Sequence, residues 1–277
     1  MINSVEQKEK INTYFSDIAK EYDNVYTRKK QNSVRAYIFL SRKKLVLAML
    51  THEGGRVLDA GCGPGVFIDD FIKHNHEVHG IDISSAMINL AEIKIKEKNY
   101  AKKFNFKVGD IENLSFPDGY FDSVLCVGVL EYLKDDVKAL KEISRVLKKG
   151  GEVIVTVPNI ISPLVLIDKA ILLIAAFLLK IGLFFLEHFG IKLEVSPKRL
   201  SFRTDIVDRY YLPWQLNKRL TQNGFKVREK KFHAFRSAIF SSISDKISLF
   251  LIKLLEPLSE SVFCWFGINY IVKATKD

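Results

Sequence analysis

The segment Val57-Leu58-Asp59-Ala60-Gly61-Cys62-Gly63-Pro64-Gly65 constrains this 277-residue chain more than any other stretch. A β-rich run passes into a turn with glycines at alternate positions, and the turn opens a helix. Glycine reaches backbone angles closed to other residues and lets a ligand touch the main chain directly. The pattern then repeats. Short apolar runs at residues 56–60, 77–82, 104–108, 122–127 and 152–157 alternate with helical stretches near 65–75, 85–98 and 134–148. The last helix reads as stopping at Lys148-Lys149-Gly150-Gly151, basic residues followed by glycine. Such alternation predicts a parallel sheet covered on both faces, with ligands held at its carboxyl edge.

The ends of the first three strands carry the ligand chemistry. G-x-G-x-G is not the dinucleotide spacing G-x-G-x-x-G, and no Lys-Ser/Thr follows as in a phosphate loop, which argues against phosphate as the ligand. Asp82 ends the second strand, 17 residues after Gly65, where a carboxylate accepts both hydroxyls of a ribose. Gly109-Asp110 ends the third, placing Asp110 to accept from an adenine amino group. An aspartate alone is as easily a helix cap or turn former. Two of them, after successive strands beside that turn, favour a nucleoside.

These segments, with Ile81-Asp82-Ile83-Ser84 and Phe121-Asp122-Ser123-Val124-Leu125-Cys126-Val127, resemble the successive signatures of class I S-adenosylmethionine-dependent methyltransferases of the small-molecule type. The likeness covers about residues 50–158 and the closing strands at 224–273. It implies an α/β, doubly wound, seven-stranded, mostly parallel Rossmann-like sheet, with the seventh strand antiparallel between the fifth and sixth. It also implies that Gly61, Gly63 and Gly65 approach the methionine part of S-adenosylmethionine. Asp59 would lie near its sulfonium or amino group, Asp82 would hold the ribose, and Asp110 and Ile111 would border the adenine. Ile83 and Val127 complete the implied cofactor-binding set. Tyr14-Phe15-x-x-Ile18-Ala19-x-x-Tyr22 resembles an amino-terminal cofactor lid, and Ile11, Phe15, Ile18 and Tyr22 share one helical face.

Methyl transfer from a sulfonium asks the protein mainly for alignment and exclusion of water, and an oxygen acceptor also needs a base. Glu131, Tyr132 and His188 are the candidates near the carboxyl edge. The run Gly128-Val129-Leu130-Glu131-Tyr132-Leu133 resembles the E-x-L-E-H-V of ubiquinone-pathway O-methyltransferases, whose two Glu and His are associated with a metal. Here Gly128 and Tyr132 replace two of the three, so no metal is expected.

Four regions follow: a helical lid over 1–50, a cofactor-binding core over 51–159, an apolar insert over 160–200, and the rest of the sheet over 201–277. The last region holds a helix at 213–223 closed by Gly224, strands at 225–232 and 264–273, and an amphipathic stretch at 239–255. Residues 160–186 contain 18 Val, Leu, Ile or Phe, near the length of a membrane span. Yet the strands on either side belong to one sheet, so the chain must return to the side it left. Lys169, Lys180 and Glu187 fall on one narrow stripe, as in a helix seated in a membrane surface. Burial inside the protein or between copies is the other reading.

Cys62, Cys126 and Cys264 show no pairing or metal spacing, residues 1–10 have no apolar run, and a reducing cytoplasmic setting is expected. Residues 188–277 hold 16 Lys/Arg against 8 Asp/Glu, and residues 1–187 hold 26 against 24. A basic half suits an anionic surface. The expectation is therefore an enzyme methylating a hydrophobic or lipid-linked small molecule, peripheral on the inner face of the membrane. RNA methylation is one alternative, although no N/D-P-P-Y/F segment follows the fourth strand. A catalytically silent, cofactor-binding partner subunit is another.

Overall fold

Four of the five residues of β1 (Arg56–Ala60) are buried, as a strand flanked by strands and covered on both faces requires. In this computed structural model, which describes residues 3–27, 33–100, 103–188, 209–235, 245–257 and 264–277, β1 is the centre of a seven-stranded sheet. It pairs in parallel with β2 (Glu77–Asp82) and with β4 (Phe121–Val127). β3 (Phe104–Val108) extends one side in parallel, and β5 (Leu147–Pro158) the other. β7 (Asn269–Lys276) runs antiparallel between β5 and β6 (Phe225–His233), so the order is β3-β2-β1-β4-β5-β7-β6. This is the doubly wound, mostly parallel sheet the sequence predicts. Strand order reverses between β1 and β4, the place where such sheets open a crevice at their carboxyl edge.

Helices cover both faces. On one, α3 (Val34–Met49), α4 (Ile68–Lys73) and α5 (Ser85–Glu97) contribute Val46, Phe71, Ile88 and Ala91 to a core with Val57, Val78 and Leu125. On the other, α6 (Asp136–Val146) and α8 (Pro213–Gln222) bury Leu140, Ile143, Leu216 and Leu220 against Leu58, Val124 and Val153. The amino terminus forms two short helices, α1 (Ser4–Asp17) and α2 (Ala19–Thr27), where one amphipathic helix was expected.

Two boundaries differ from the sequence reading. α6 ends at Val146 and β5 begins at Leu147, because Leu147 already pairs with Phe121. Lys148 then ion-pairs with Asp122 at 2.5 Å, beside a register shift, and does not close the helix. The last strand begins at Asn269 and not at residue 264. Cys264–Phe266 is a single 3-10 turn, and the Asn159 side-chain amide donates to the carbonyls of Trp265 and Gly267 at 2.9 and 2.8 Å.

The apolar insert leaves the carboxyl end of β5 as one 26-residue helix, α7 (Pro163–His188). Among its described side chains the large exposed ones are Leu166, Ile167, Ile171, Leu173, Ile174, Phe177, Leu178 and Ile181. At about 100° per residue they occupy one arc of roughly 160°. Asp168, on the opposite side, is buried. The side chains of Lys169, Lys180 and Glu187 lie outside the described residues, as do 189–208 altogether. Among the described residues no helix is long and apolar enough to cross a membrane. Of the second insert, α9 (Asp245–Leu255) is described. It buries Ile252 against Val34, Ile38 and Ala234, and it exposes Ile247, Phe250 and Leu254.

Candidate active site

A cleft opens at the carboxyl ends of β1, β2, β3 and β4. The turn after β1 forms one wall. Gly61 has φ +82°, and a Cβ there would stand 2.2 Å from Val129 Cγ2, so no other residue fits. Gly63 has φ +52°, and a Cβ there would meet only Tyr22, at 3.9 Å; the main chain is bare towards the cleft. The turn is tied to the next strand, since Gly61 N–H and Cys62 N–H donate to the Ile81 carbonyl at 2.7 and 3.1 Å. Gly65 lies away from the cleft, where a Cβ would strike Ile68 and Ala91.

Asp82, at the end of β2, accepts from Gly63 N–H on one oxygen and Ser84 N–H on the other, both at 2.9 Å. A carboxylate has about four acceptor positions, so two remain for hydroxyls in the cleft. Burial raises its pKa against the pull of those N–H groups. Asp59 is buried behind the turn, outside the cleft lining. Burial, with the Asp82 carboxylate beside it, pushes Asp59 up to about 7. Ile83, Met87, Ile111 and Val127 supply apolar walls. The donors, acceptors and apolar faces match a nucleoside with a small polar tail: a bare glycine main chain, a carboxylate with spare capacity, and a slot for a flat ring.

Asp110 also lines the cleft, but its carboxylate is engaged by α1. Lys8 of α1 donates to Asp110 Oδ2 at 2.6 Å and Glu112 Oε2 at 2.5 Å. Burial of Lys8 opposes its charge, and the two carboxylates outweigh that and raise its pKa. Ile11 and Phe15 of α1 and Tyr22 of α2 line the same cleft. Lys8 carries no sequence signal of its role, because its partners lie more than 100 residues away.

Of the candidate bases, Tyr132 lines the cleft, its ring edge-on to Phe15 at 5.2 Å. Glu131 stands beside it in the 3-10 turn Leu130–Tyr132, only 8% exposed. Burial pushes Glu131 up to about 7 despite the nearby Arg42. The side chain of His188 lies outside the described residues. This turn is clamped from behind. Tyr211 Oη donates to the Leu130 carbonyl and to Asp136, and Arg209 N–H donates to the Glu131 carbonyl at 3.0 Å. Asp136, fully buried, also pairs with Arg209 and Arg219. Among the described residues no group of three or more His, Cys, Asp or Glu is arranged to hold a metal ion.

Residues 58–155 match the family described as a methyltransferase domain. The ubiquinone biosynthesis O-methyltransferase of Coxiella burnetii is 30% identical over 149 residues, 52% of this chain and 60% of that protein. The ubiquinone/menaquinone biosynthesis C-methyltransferase of Geotalea daltonii is 31% identical over 158 residues, 56% of this chain and 66% of that one. The match thus spans about 60% of the length of the first of these curated relatives. Among solved structures, a Thermotoga maritima S-adenosylmethionine-dependent methyltransferase, possible histamine N-methyltransferase, superposes with TM-score 0.60 at 20% identity, covering 95% of this chain and 98% of that one. The [4+2]-cyclase SpnF superposes with TM-score 0.65 at 17% identity, covering 97% and 96%. These two likenesses are of fold.

Proposed function

We propose that this chain is a class I S-adenosylmethionine-dependent methyltransferase that methylates a hydrophobic or lipid-linked small molecule at a membrane surface, a reading supported by the methyltransferase-domain match over residues 58–155. The observation that supports this reading is the apolar face that α7 exposes among the described residues, on a helix that starts at the cleft's own edge of the sheet. Soluble monomers rarely expose so large a contiguous apolar patch. α9 adds Ile247, Phe250 and Leu254, with Lys246 and Lys253 exposed beside them, the arrangement of a helix whose lysines reach for head groups.

Bound S-adenosylmethionine supplies a methyl group already activated on a sulfonium. The residues of this chain bind and orient. Asp82 holds the ribose hydroxyls with its two unused acceptor positions, and Gly61 and Gly63 lie against the amino-acid tail. Asp59, behind the turn, would act on the cationic end through its charge and not by lining the cleft. Asp110, Ile111, Ile83 and Val127 frame the adenine, and Gly65 shapes the turn from outside the cleft. Phe15 and Tyr22 exclude water from above. Transfer of labelled methyl from the cofactor into lipid fractions tests the proposal.

A further inference from the structure

Beside Gly128, a residue of the cleft wall, lie two buried charges that do not themselves line the cleft and that the cofactor reading does not use. Arg42 sits on the buried stripe of α3, between Ile38 and Val46, and is 8% exposed. Its guanidinium lies over the Phe39 ring at 4.9 Å, and among the described residues its one hydrogen bond is a long one, 3.5 Å, to the Tyr26 hydroxyl. Glu131 is equally buried, and its Oε2 has no partner among the described residues. The two are not ion-paired, yet they flank a single point. The place a Cβ on Gly128 would take is 3.2 and 3.7 Å from the two terminal nitrogens of Arg42 and 3.6 Å from Glu131 Oε1. Gly128, with φ +70°, lines the cleft. A buried cation and a buried carboxylate left unjoined are costly, and a small polar group between them satisfies both.

We infer that Arg42 and Glu131 form the subsite for an acceptor hydroxyl, Arg42 holding its oxygen and Glu131 taking its proton. This rests on the methyl-transfer reading. The hydroxyl proton passes to Glu131. An oxygen lone pair forms the new O–CH3 bond as the S–CH3 bond of the cofactor breaks, with that bond's electron pair remaining on sulfur. Tyr22, Tyr26 and Phe39 cluster at the same place, their ring centroids 5.5–5.7 Å apart, and Phe15 and Tyr132 line the cleft beside them. A cluster of rings beside a charged pair, next to the cleft wall at Gly128, suits a planar acceptor with an acidic hydroxyl, a phenol or an enol. The groups facing Glu131 are Arg42 on α3, Cys126 on β4 and Tyr211. Burial first, and Glu131 among the neighbouring charges, keep that thiol and phenol protonated, so Arg42 is the one charge among them.

4-Nitrophenol is the probe, because its absorbance reports its ionisation. It is titrated against the protein loaded with S-adenosylhomocysteine. The wild type should bind it with a bell-shaped pH dependence around neutrality, because probe and Glu131 share one proton. Glu131→Gln should keep binding at alkaline pH, with no descending limb. Arg42→Met should bind the probe about tenfold more weakly, the loss of one charge-assisted hydrogen bond, with product-cofactor affinity changed less than twofold. An unaltered profile in Glu131→Gln, an unaltered affinity in Arg42→Met, or no probe binding by the wild type overturns the subsite. Failure of the wild type to bind S-adenosylhomocysteine would instead remove the methyl-transfer reading beneath it.

Discussion

Asp82 is held twice by the backbone and still has two acceptor positions for a ribose. A hydrogen bond to a charged group contributes about 1.5–3 kcal/mol, and 1.4 kcal/mol is one decade. Calorimetry should therefore show Asp82→Ala binding S-adenosylmethionine about tenfold or more weakly; unchanged affinity in a folded variant would remove its role. Asp59 gives a pH signature. Its folded-state value is raised to about 7, so the folded protein binds more protons than the unfolded chain between about 4 and 7. Its contribution to stability is present at low pH and is lost as pH rises through 7. A cation placed beside it reverses the preference. Cofactor binding near pH 7 should release a proton, seen as a binding heat that depends on the buffer's ionisation heat, and Asp59→Asn should abolish that release. Asp59→Asn should also melt higher than the wild type at pH 8 without cofactor. Asp82 and Asp110 could be placed at the cleft because each stands at or just past the end of a strand whose pattern is local, whereas Asp59 lies behind the turn and outside the cleft lining. Arg42 could not be so placed. Its one trace in the sequence is a charge on the apolar stripe of a helix, and its meaning depends on meeting Gly128 and Glu131 through the fold.

Strands and turns were readable where pattern and pairing agree. β1, β2 and β3 keep their expected bounds, because apolar runs ended by glycine or aspartate coincide with complete parallel registers. The reading failed where pairing overrode a local signal. Lys148-Lys149-Gly150-Gly151 looks like a helix stop, but Leu147 is already paired to Phe121. The apolar insert was readable as a helix, but its partner was not, since an apolar face looks the same against lipid or protein. Each fully buried large apolar side chain contributes roughly 1.5–3 kcal/mol, so a few seated in lipid suffice for binding. Replacing Leu173, Phe177 and Leu178, all at least 60% exposed, with Ser should abolish flotation with anionic liposomes and leave cofactor affinity near normal. A wild type that stays monomeric without detergent and ignores those liposomes would assign the face elsewhere.

At the scale of the whole molecule, the parts converge on one edge of the sheet. The carboxyl ends of β1 to β4 form the cleft, β5 launches α7 from that edge, and α9 packs on α3, which carries Arg42. The basic excess falls after residue 188, on the sequence that returns from the apolar helix. Each Lys or Arg well placed near an anionic surface adds about 1 kcal/mol of attraction. The fold by itself does not decide the chemistry, since a [4+2]-cyclase superposes on it over nearly the whole chain. Chemistry has to be read from transfer. The purified chain should be incubated with methyl-tritiated S-adenosylmethionine and total lipid extract of its native cell, then partitioned into organic and aqueous phases. Label is expected in the organic phase, dependent on Asp82. Cofactor that binds while the label stays in the aqueous phase, or that labels only added RNA, would contradict it.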